Sequence, residues 1–200
     1  DRVPIGLGGM KATGIAIGAY QRVRDLLGLP GPARVLDPKF MISEVREDVL
    51  RRLHADVLPL DVTTASALLA PESAWKPRWL FDGREALFPP DTRIAEDPDG
   101  SWVLLDADGA RTSFRMPRDG HYFDDIAFND PRGTLDPRAF RPVDSVPDNE
   151  LRNLETLARR LHDDTEYALL GWGYGVCFLG LSLISDRRSD VTMGLHDQWL

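Results

Sequence analysis

Apolar positions in the first 61 residues alternate between short continuous runs and runs with helical spacing. Residues 3–7 form a continuous run that predicts a strand, and the spacing over 17–27 and again over 45–53 predicts two helices. The run 55–60 predicts a strand buried on both faces, which ends on Asp61. The order strand, helix, strand is typical of parallel α/β proteins.

The helical period disappears between residues 71 and 147, where proline and glycine become frequent. Three Asp-Gly pairs separate short runs of apolar and β-branched residues, and Asp-Gly favours type I′ hairpin turns because both central residues need positive φ. The pairs are Asp99-Gly100, Asp108-Gly109 and Asp119-Gly120. A repeat protein would show similar spacing, but the intervening segments share no further pattern. The region predicts an inserted β-meander, after which helical spacing resumes over 148–161.

Composition and charge narrow the class of protein. A chain of 200 residues that is 42% apolar and 28% charged is typical of one globular domain and excludes a disordered or collagen-like chain. Its 24 Lys and Arg against 32 Asp and Glu give a formal charge of −8, so nucleic acid is not an expected partner. The single cysteine, Cys177, forms no internal disulfide, and a cytoplasmic location is expected. Because the chain starts at Asp1 and stops at Leu200 within an amphipathic segment, we expect a fragment of a longer protein.

Residues 167–184 contain no charged side chain and are long enough to cross a membrane. However, Gly171, Gly173 and Gly175 alternate through this segment, and each glycine weakens a helix by about 1 kcal/mol relative to alanine. The segment therefore favours a buried strand from Tyr167, a glycine-rich loop, and a packed helix over 176–184. A membrane span is the alternative, and no membrane partner is expected.

Two glycine-rich loops follow predicted strands, which is the context of a phosphate-binding loop. Residues 6–11 lack both the Gly-Lys-Ser/Thr ending of a Walker loop and the third glycine of the dinucleotide motif, and 171–175 is followed by Val176 where that motif needs glycine. The alternative is that these glycines let the backbone approach a ligand or a neighbouring strand. The candidate substrate-binding residues of the two loops are Gly8, Gly9, Met10, Lys11, Trp172 and Tyr174.

Residues with metal-binding side chains are widely separated in the sequence. No spacing of metal ligands occurs among the four histidines, so no metal site is predicted within this chain. Cys177 lies between Val176 and Phe178, and these apolar neighbours predict a buried, unreactive thiol.

Asp61 is the most informative single residue because it closes an apolar strand. The carboxyl ends of parallel strands carry ligand-binding and catalytic groups in α/β proteins. A carboxylate at this position could bind cationic or pyrrole-type N–H groups, or act as a general acid or base. The alternative is an aspartate that caps the following turn through Thr63 or Thr64.

Four segments of the amino-terminal part carry a resemblance to a known family. They read Asp1-Arg2-Val3-Pro4-Ile5, Gly14-Ile15 with Ala19-Tyr20, Leu26-Leu27-Gly28-Leu29-Pro30, and Glu44 to Leu60 followed by Asp61. These segments resemble the amino-terminal half of uroporphyrinogen decarboxylase-like proteins, and the meander and the helix from Asp148 fit the same pattern. The fold class that the resemblance implies is α/β, a partial TIM-type (β/α)8 barrel with an inserted β-meander. Because a whole barrel needs about 250 residues, residues 1–200 would form a single incomplete barrel domain with a β-rich insertion at about 71–147.

This superfamily includes the heme-pathway decarboxylase and corrinoid-dependent methyltransferases, and the resemblance makes Asp61 the catalytic aspartate. Two features depart from the decarboxylase. Its arginine-bearing signature is replaced by 8–13, where Lys11 is the only cation, and its tyrosine after the Gly171 loop is replaced by Phe178 or Leu179. A substrate with many carboxylates needs cations around it. Methyl transfer between a methylated corrinoid protein and a thiol or folate is therefore the leading expectation.

Two alternatives stay open, namely uroporphyrinogen decarboxylation in tetrapyrrole biosynthesis and a non-catalytic module that binds a corrinoid partner. No cofactor is expected within this chain. For a full-length methyltransferase the resemblance implies a corrinoid, and zinc held by His and Cys residues of the carboxyl-terminal half. The expected partner is a small molecule or a corrinoid protein, and the fragment alone could be inactive.

Overall fold

The computed structural model describes residues 2–126 and 146–172, together with the backbone of two further strands at 182–185 and 188–192. The chain divides into two compact units. The first unit comprises Asp1–Thr92 and Pro147–Gly173, and the second comprises Arg93–Val146 and Tyr174–Leu200.

Four helices occur in the described ranges, all of them in the first unit. They are α1 (Ile17–Leu26), α2 (Glu47–Arg52), α3 (Ala65–Leu69) and α4 (Asp148–Asp164). The strands are β1 (Ala33–Asp37), β2 (Ile42–Ser43), β3 (Val57–Asp61), β4 (Lys76–Trp79), β5 (Glu85–Phe88), β6 (Ile94–Glu96), β7 (Trp102–Leu105), β8 (Arg111–Met116), β9 (Asp124–Asp125), β10 (Ala168–Trp172), β11 (Ser182–Ser185) and β12 (Arg188–Thr192). Short 3₁₀ helices occur at Lys11–Thr13 and Glu72–Ala74.

The first unit contains two sheets. One has the strand order β2-β1-β5-β4, in which β1 and β5 run parallel and the other pairs run antiparallel. The other is the parallel pair β3 and β10. The apolar face of α4 packs against α3, β3 and β10, and Leu157 on that face is completely buried. The strands β3 and β10 therefore belong to a core that is built from segments distant in the sequence.

The predicted partial TIM-type barrel is wrong. Within the described residues the strands form several small mixed and antiparallel sheets, and none of these sheets closes into a barrel. Strand β1 forms its parallel hydrogen bonds with β5. Strand β5 belongs to the region 71–147, which the sequence predicts to be an insertion. The predicted strand, helix, strand unit is also wrong, because the segment 3–7 is not assigned as a strand; β3 pairs in parallel with β10 instead.

The second unit contains the predicted antiparallel meander, in the order β6-β7-β8-β9. The predicted turn type is wrong, because Gly100 has a φ of 80° whereas Asp99 does not have a positive φ. The amide of Gly100 donates to the Asp97 carbonyl at 2.8 Å, and the amide of Asp97 donates to the Ser101 carbonyl at 2.8 Å. This is a three-residue loop with a glycine bulge, which needs only one residue at positive φ, and Asp108-Gly109 repeats it.

The side chain of Asp99 fastens the first of these turns to β8. Its Oδ1 accepts the Ser101 hydroxyl at 2.6 Å and the Ser101 amide at 3.0 Å, and its Oδ2 contacts Arg115. These contacts, with the Ser101 hydroxyl contributing most, lower the pKa of Asp99 to about 2. The turn therefore keeps an ionised carboxylate throughout the neutral range.

No helix in the part of the chain that the structure covers is long and apolar enough to cross a membrane. The strand predicted from Tyr167 is present as β10, but it is not buried as predicted, because Ala168 and Gly171 are exposed, and Gly171 lies in the strand rather than in the predicted loop. The helix predicted over 176–184 is wrong for its last residues. Residues from Ser182 onward belong to β11 (Ser182–Ser185), which pairs antiparallel with β12. Residues 173–181 lie outside the described residues, and with them Tyr174 and Cys177.

Candidate active site

Asp61 is the last residue of β3 and is only 5% exposed. Its Oδ1 accepts hydrogen bonds from the amide and from the hydroxyl of Thr63, both at 2.8 Å. Its main-chain oxygen accepts the amide of Thr64 at 3.2 Å. The carboxylate thus makes the turn contacts that a capping aspartate makes, and these contacts fix its orientation. No described residue donates a hydrogen bond to Oδ2.

The parallel pairing of β3 with β10 sets the surroundings of Asp61. The register pairs Leu58 with Leu169, Leu60 with Gly171, and Asp61 with Trp172. Because both strands run in the same direction, their carboxyl ends lie at one edge of the pair. The structure therefore brings Asp61 beside the backbone of Trp172, and this edge is the candidate active site.

The first glycine loop packs on neighbouring side chains. A Cβ atom added to Gly9 would lie 2.5 Å from Cγ2 of Val57 and 3.4 Å from Cδ2 of Leu170, and one added to Gly8 would lie 2.5 Å from Cγ2 of Val45. Val57 precedes Asp61 by four residues, which is about 13 Å along a strand. Gly9 therefore packs near the beginning of β3, and the structure does not place it beside Asp61.

Substitution of Gly9 by alanine is expected to lower the free energy of unfolding by about 1–3 kcal/mol, because the new methyl group overlaps Val57. Chemical denaturation followed by circular dichroism measures this change. Gly171 is the matched control, because a Cβ atom added there has no atom within 4 Å. Equal stability of the two alanine variants would contradict the close packing of Gly9.

Lys11 forms an ion pair that the sequence does not indicate. Its Nζ lies 2.9 Å from Oδ2 of Asp37, the last residue of β1. Asp37 is 8% exposed, and its Oδ1 accepts the amide of Phe40 at 3.2 Å. Met10 lies in the same loop, and its amide donates to Oγ1 of Thr13 at 3.2 Å. One sequence signal could have identified Asp37: like Asp61, it directly follows apolar residues of a strand, here Val35 and Leu36.

A polar cleft of about 510 Å³ lies at the opposite end of the β3 and β10 pair. It is lined by Glu47, Arg51, Ala55, Asp56, Asp163, Asp164, Thr165, Glu166 and Tyr167. Oδ2 of Asp56 accepts the amide of Ile5 at 2.6 Å, which is the main cause that lowers the pKa of Asp56, and Arg2 contributes further. Because Asp56 precedes β3 and Tyr167 precedes β10, this cleft is separate from the edge that holds Asp61.

The described residues do not provide a ligand set for zinc. They contain no group of three or more His, Cys, Asp or Glu side chains that could hold a metal ion. The zinc that the resemblance implies therefore has no counterpart among these residues, and no chemical step is assigned to it here.

The fold and the site together define a mixed α/β protein with buried carboxylates at the ends of strands. Comparison of the chain with protein-family models, with curated proteins and with solved structures finds no match. The resemblance to the uroporphyrinogen decarboxylase superfamily therefore depends on the sequence segments alone.

Proposed function

We propose that this chain contributes the Asp61 part of an active site that transfers a methyl group between a methylated corrinoid protein and a thiol or folate, as enzymes of the uroporphyrinogen decarboxylase superfamily do. The carrying observation is a buried carboxylate at the carboxyl end of a parallel strand, with Oδ1 held by two donors from Thr63.

Asp61 acts in this proposal on the acceptor. A thiol must lose its proton before its sulfur attacks the methyl group, and a carboxylate within hydrogen-bond distance accepts that proton. The sulfur forms the new bond to carbon, and the electron pair of the cobalt–carbon bond stays on cobalt. Because Oδ1 already accepts two hydrogen bonds, Oδ2 is the oxygen assigned to the acceptor.

The ion pair of Lys11, the one cation of the first glycine loop, favours methyl transfer over decarboxylation. Lys11 is the only Lys or Arg between Arg2 and Arg22, and its ammonium group contacts Asp37 at 2.9 Å. A porphyrinogen carries many carboxylates, and each needs a cation or several donors. An ammonium group that is already paired provides little of this charge. Decarboxylation therefore stays the second candidate, and its only support is the resemblance.

The test uses the native protein that contains this sequence, with methylcobalamin as methyl donor and a small thiol as acceptor. Loss of the methylcobalamin absorbance and formation of the methyl thioether, detected by mass spectrometry, are the expected results. A parallel reaction offers uroporphyrinogen and looks for coproporphyrinogen. Formation of coproporphyrinogen without methyl transfer would overturn the proposal. Binding of a corrinoid protein without turnover of either substrate would instead identify a non-catalytic module.

A further inference from the structure

A cavity of about 220 Å³ lies between the second half of α1 and the beginning of β5, within the first unit. Two residues of α1, two of the loop before β1 and two where β5 begins line it, namely Gln21, Asp25, Gly31, Pro32, Arg84 and Glu85. Gln21 and Asp25 are four residues apart in α1, so both lie on the same face of the helix. The loop on the other side is fixed, because Arg24 donates to the Pro30 carbonyl at 2.8 Å. The cavity is therefore a preformed one.

The side chain of Gln21 has an acceptor that the protein does not use. Gln21 is 6% exposed, and its Nε2 donates to the main-chain oxygen of Glu85 at 2.6 Å. Because a carbonyl oxygen can only accept, the atom beside it is the amide nitrogen, which fixes the orientation of the amide. Oε1 is buried and has no hydrogen-bond partner within the described residues. An acceptor that is buried without a donor destabilises the fold, and a donor from a bound molecule would remove this cost.

Asp25 provides a second acceptor one turn further along α1. Its Oδ2 lies 2.5 Å from the guanidinium of Arg84, whereas its Oδ1 accepts no hydrogen bond from a described residue. Arg84 is the only cation among the lining residues, and Asp25 and Glu85 are two anions, so the lining carries a formal charge of about −1. Unused acceptors and negative charge both disfavour an anionic ligand and favour a cation with several N–H donors.

The size of the cavity limits the ligand. Sites for drug-sized molecules usually measure about 300–1,000 Å³. A cavity of about 220 Å³ is smaller than these and suits a ligand of a few non-hydrogen atoms.

We propose that this cavity binds a small primary ammonium group, which donates one N–H to Oε1 of Gln21 and another to Oδ1 of Asp25. A free alkylamine and the end of a lysine side chain share this chemistry. The inference goes beyond the proposed function and does not rest on it, because no lining residue belongs to β3, to β10 or to the turn after Asp61.

The test titrates the protein with butylammonium at constant ionic strength and follows the Gln21 side-chain amide and the Gly31 amide by ¹H–¹⁵N NMR. Tetramethylammonium, which has the same charge and no N–H group, and butyramide, which has N–H groups and no charge, are the matched ligands. We expect butylammonium to shift both resonances and to bind at least about tenfold more tightly than either, the effect of one charge-assisted hydrogen bond. Absence of both shifts, or equal affinity for either matched ligand, would overturn the proposal.

Two variants test the two acceptors separately. Gln21→Met removes Oε1 and keeps the length of the side chain, and Asp25→Asn removes a charge and leaves the bond between Gln21 and Glu85 in place. Each should weaken butylammonium binding about tenfold, and Asp25→Asn keeps the test open if Gln21→Met does not fold. The matched control is Asp91→Asn, which removes an exposed carboxylate outside the lining and should bind as the wild type does. Wild-type affinity in a folded Gln21→Met or Asp25→Asn protein would overturn the proposal.

A further ligand identifies the source of the ammonium group. Nα-acetyl-lysine methylamide presents the same group on a peptide backbone. Tighter binding of this compound than of butylammonium would support the proposal and assign the site to a lysine side chain, and weaker binding would support it with a free amine as the ligand. Since none of these measurements needs turnover, the result is separable from the test of methyl transfer.

Discussion

Replacing Asp61→Asn is expected to lower the methyl-transfer rate by about 10²- to 10⁴-fold, the usual contribution of a general acid or base. Asparagine retains an oxygen for the two hydrogen bonds from Thr63, so the turn after β3 should persist. What it removes is the negative charge and the basic oxygen that would accept a proton. Initial rates with methylcobalamin and a thiol, at saturating concentrations of both, measure the effect.

The matched control is Asp56→Asn, which removes a carboxylate just before the same strand begins. Asp56 contacts Arg2 and the amide of Ile5, at the end of β3 opposite to Asp61. Its replacement should leave the rate essentially unchanged. If Asp61→Asn folds normally and retains the wild-type rate, Asp61 only caps the turn, and the catalytic assignment is wrong.

Replacing Leu157→Ala is expected to lower the free energy of unfolding by about 2–5 kcal/mol. Leu157 is fully buried on the face of α4 that packs against α3, β3 and β10. Alanine removes apolar contacts and leaves a cavity that the surrounding strands and helices fill only in part. Urea denaturation followed by circular dichroism, with linear extrapolation to water, measures the loss.

Leu151→Ala is the control on the same helix. Leu151 is 46% exposed, so the same substitution should cost no more than about 0.5 kcal/mol. An equal loss of stability in the two variants would contradict the packing of α4 through the face that contains Leu157.

Local patterns predicted the elements that carry the candidate site. A strand is confirmed at β3 and at β10, and a helix at α4. The prediction that β3 is buried on both faces is wrong, because residues 57–60 are only partly buried. Each of these elements has a strong period or a continuous apolar run of its own. The apolar stripe of α4 predicted the burial of Leu157, but the same stripe contains Leu151, which is 46% exposed.

Such local patterns could not test the barrel prediction. Which strands pair depends on contacts between segments that are distant in the sequence. The pairing of Ala33 with Ala86 joins residues more than fifty positions apart, and nothing in either run specifies the other. The resemblance supplied the missing topology, and the structure does not follow it. The ion pair between Lys11 and Asp37 escaped prediction for the same reason.

The glycine loop shows where sequence reasoning stops short. Gly8 and Gly9 could serve either a ligand or a neighbouring strand, and only the positions of Val45 and Val57 decide that they pack against side chains. Asp61 shows a similar limit. Its position at a strand end was predicted, but both a capping and a catalytic carboxylate occur at such a position.

Direct contact between Asp61 and the substrate is the central claim, and the ¹³C chemical shift of the Asp61 side-chain carboxyl carbon tests it most directly. The resonance is assigned by its disappearance in Asp61→Asn, and the native protein is then titrated with the thiol acceptor in the presence of methylcobalamin. We expect the Asp61 resonance to shift as the acceptor binds, while that of Asp56 stays in place. An Asp61 resonance that does not move while methyl transfer proceeds would contradict the assignment.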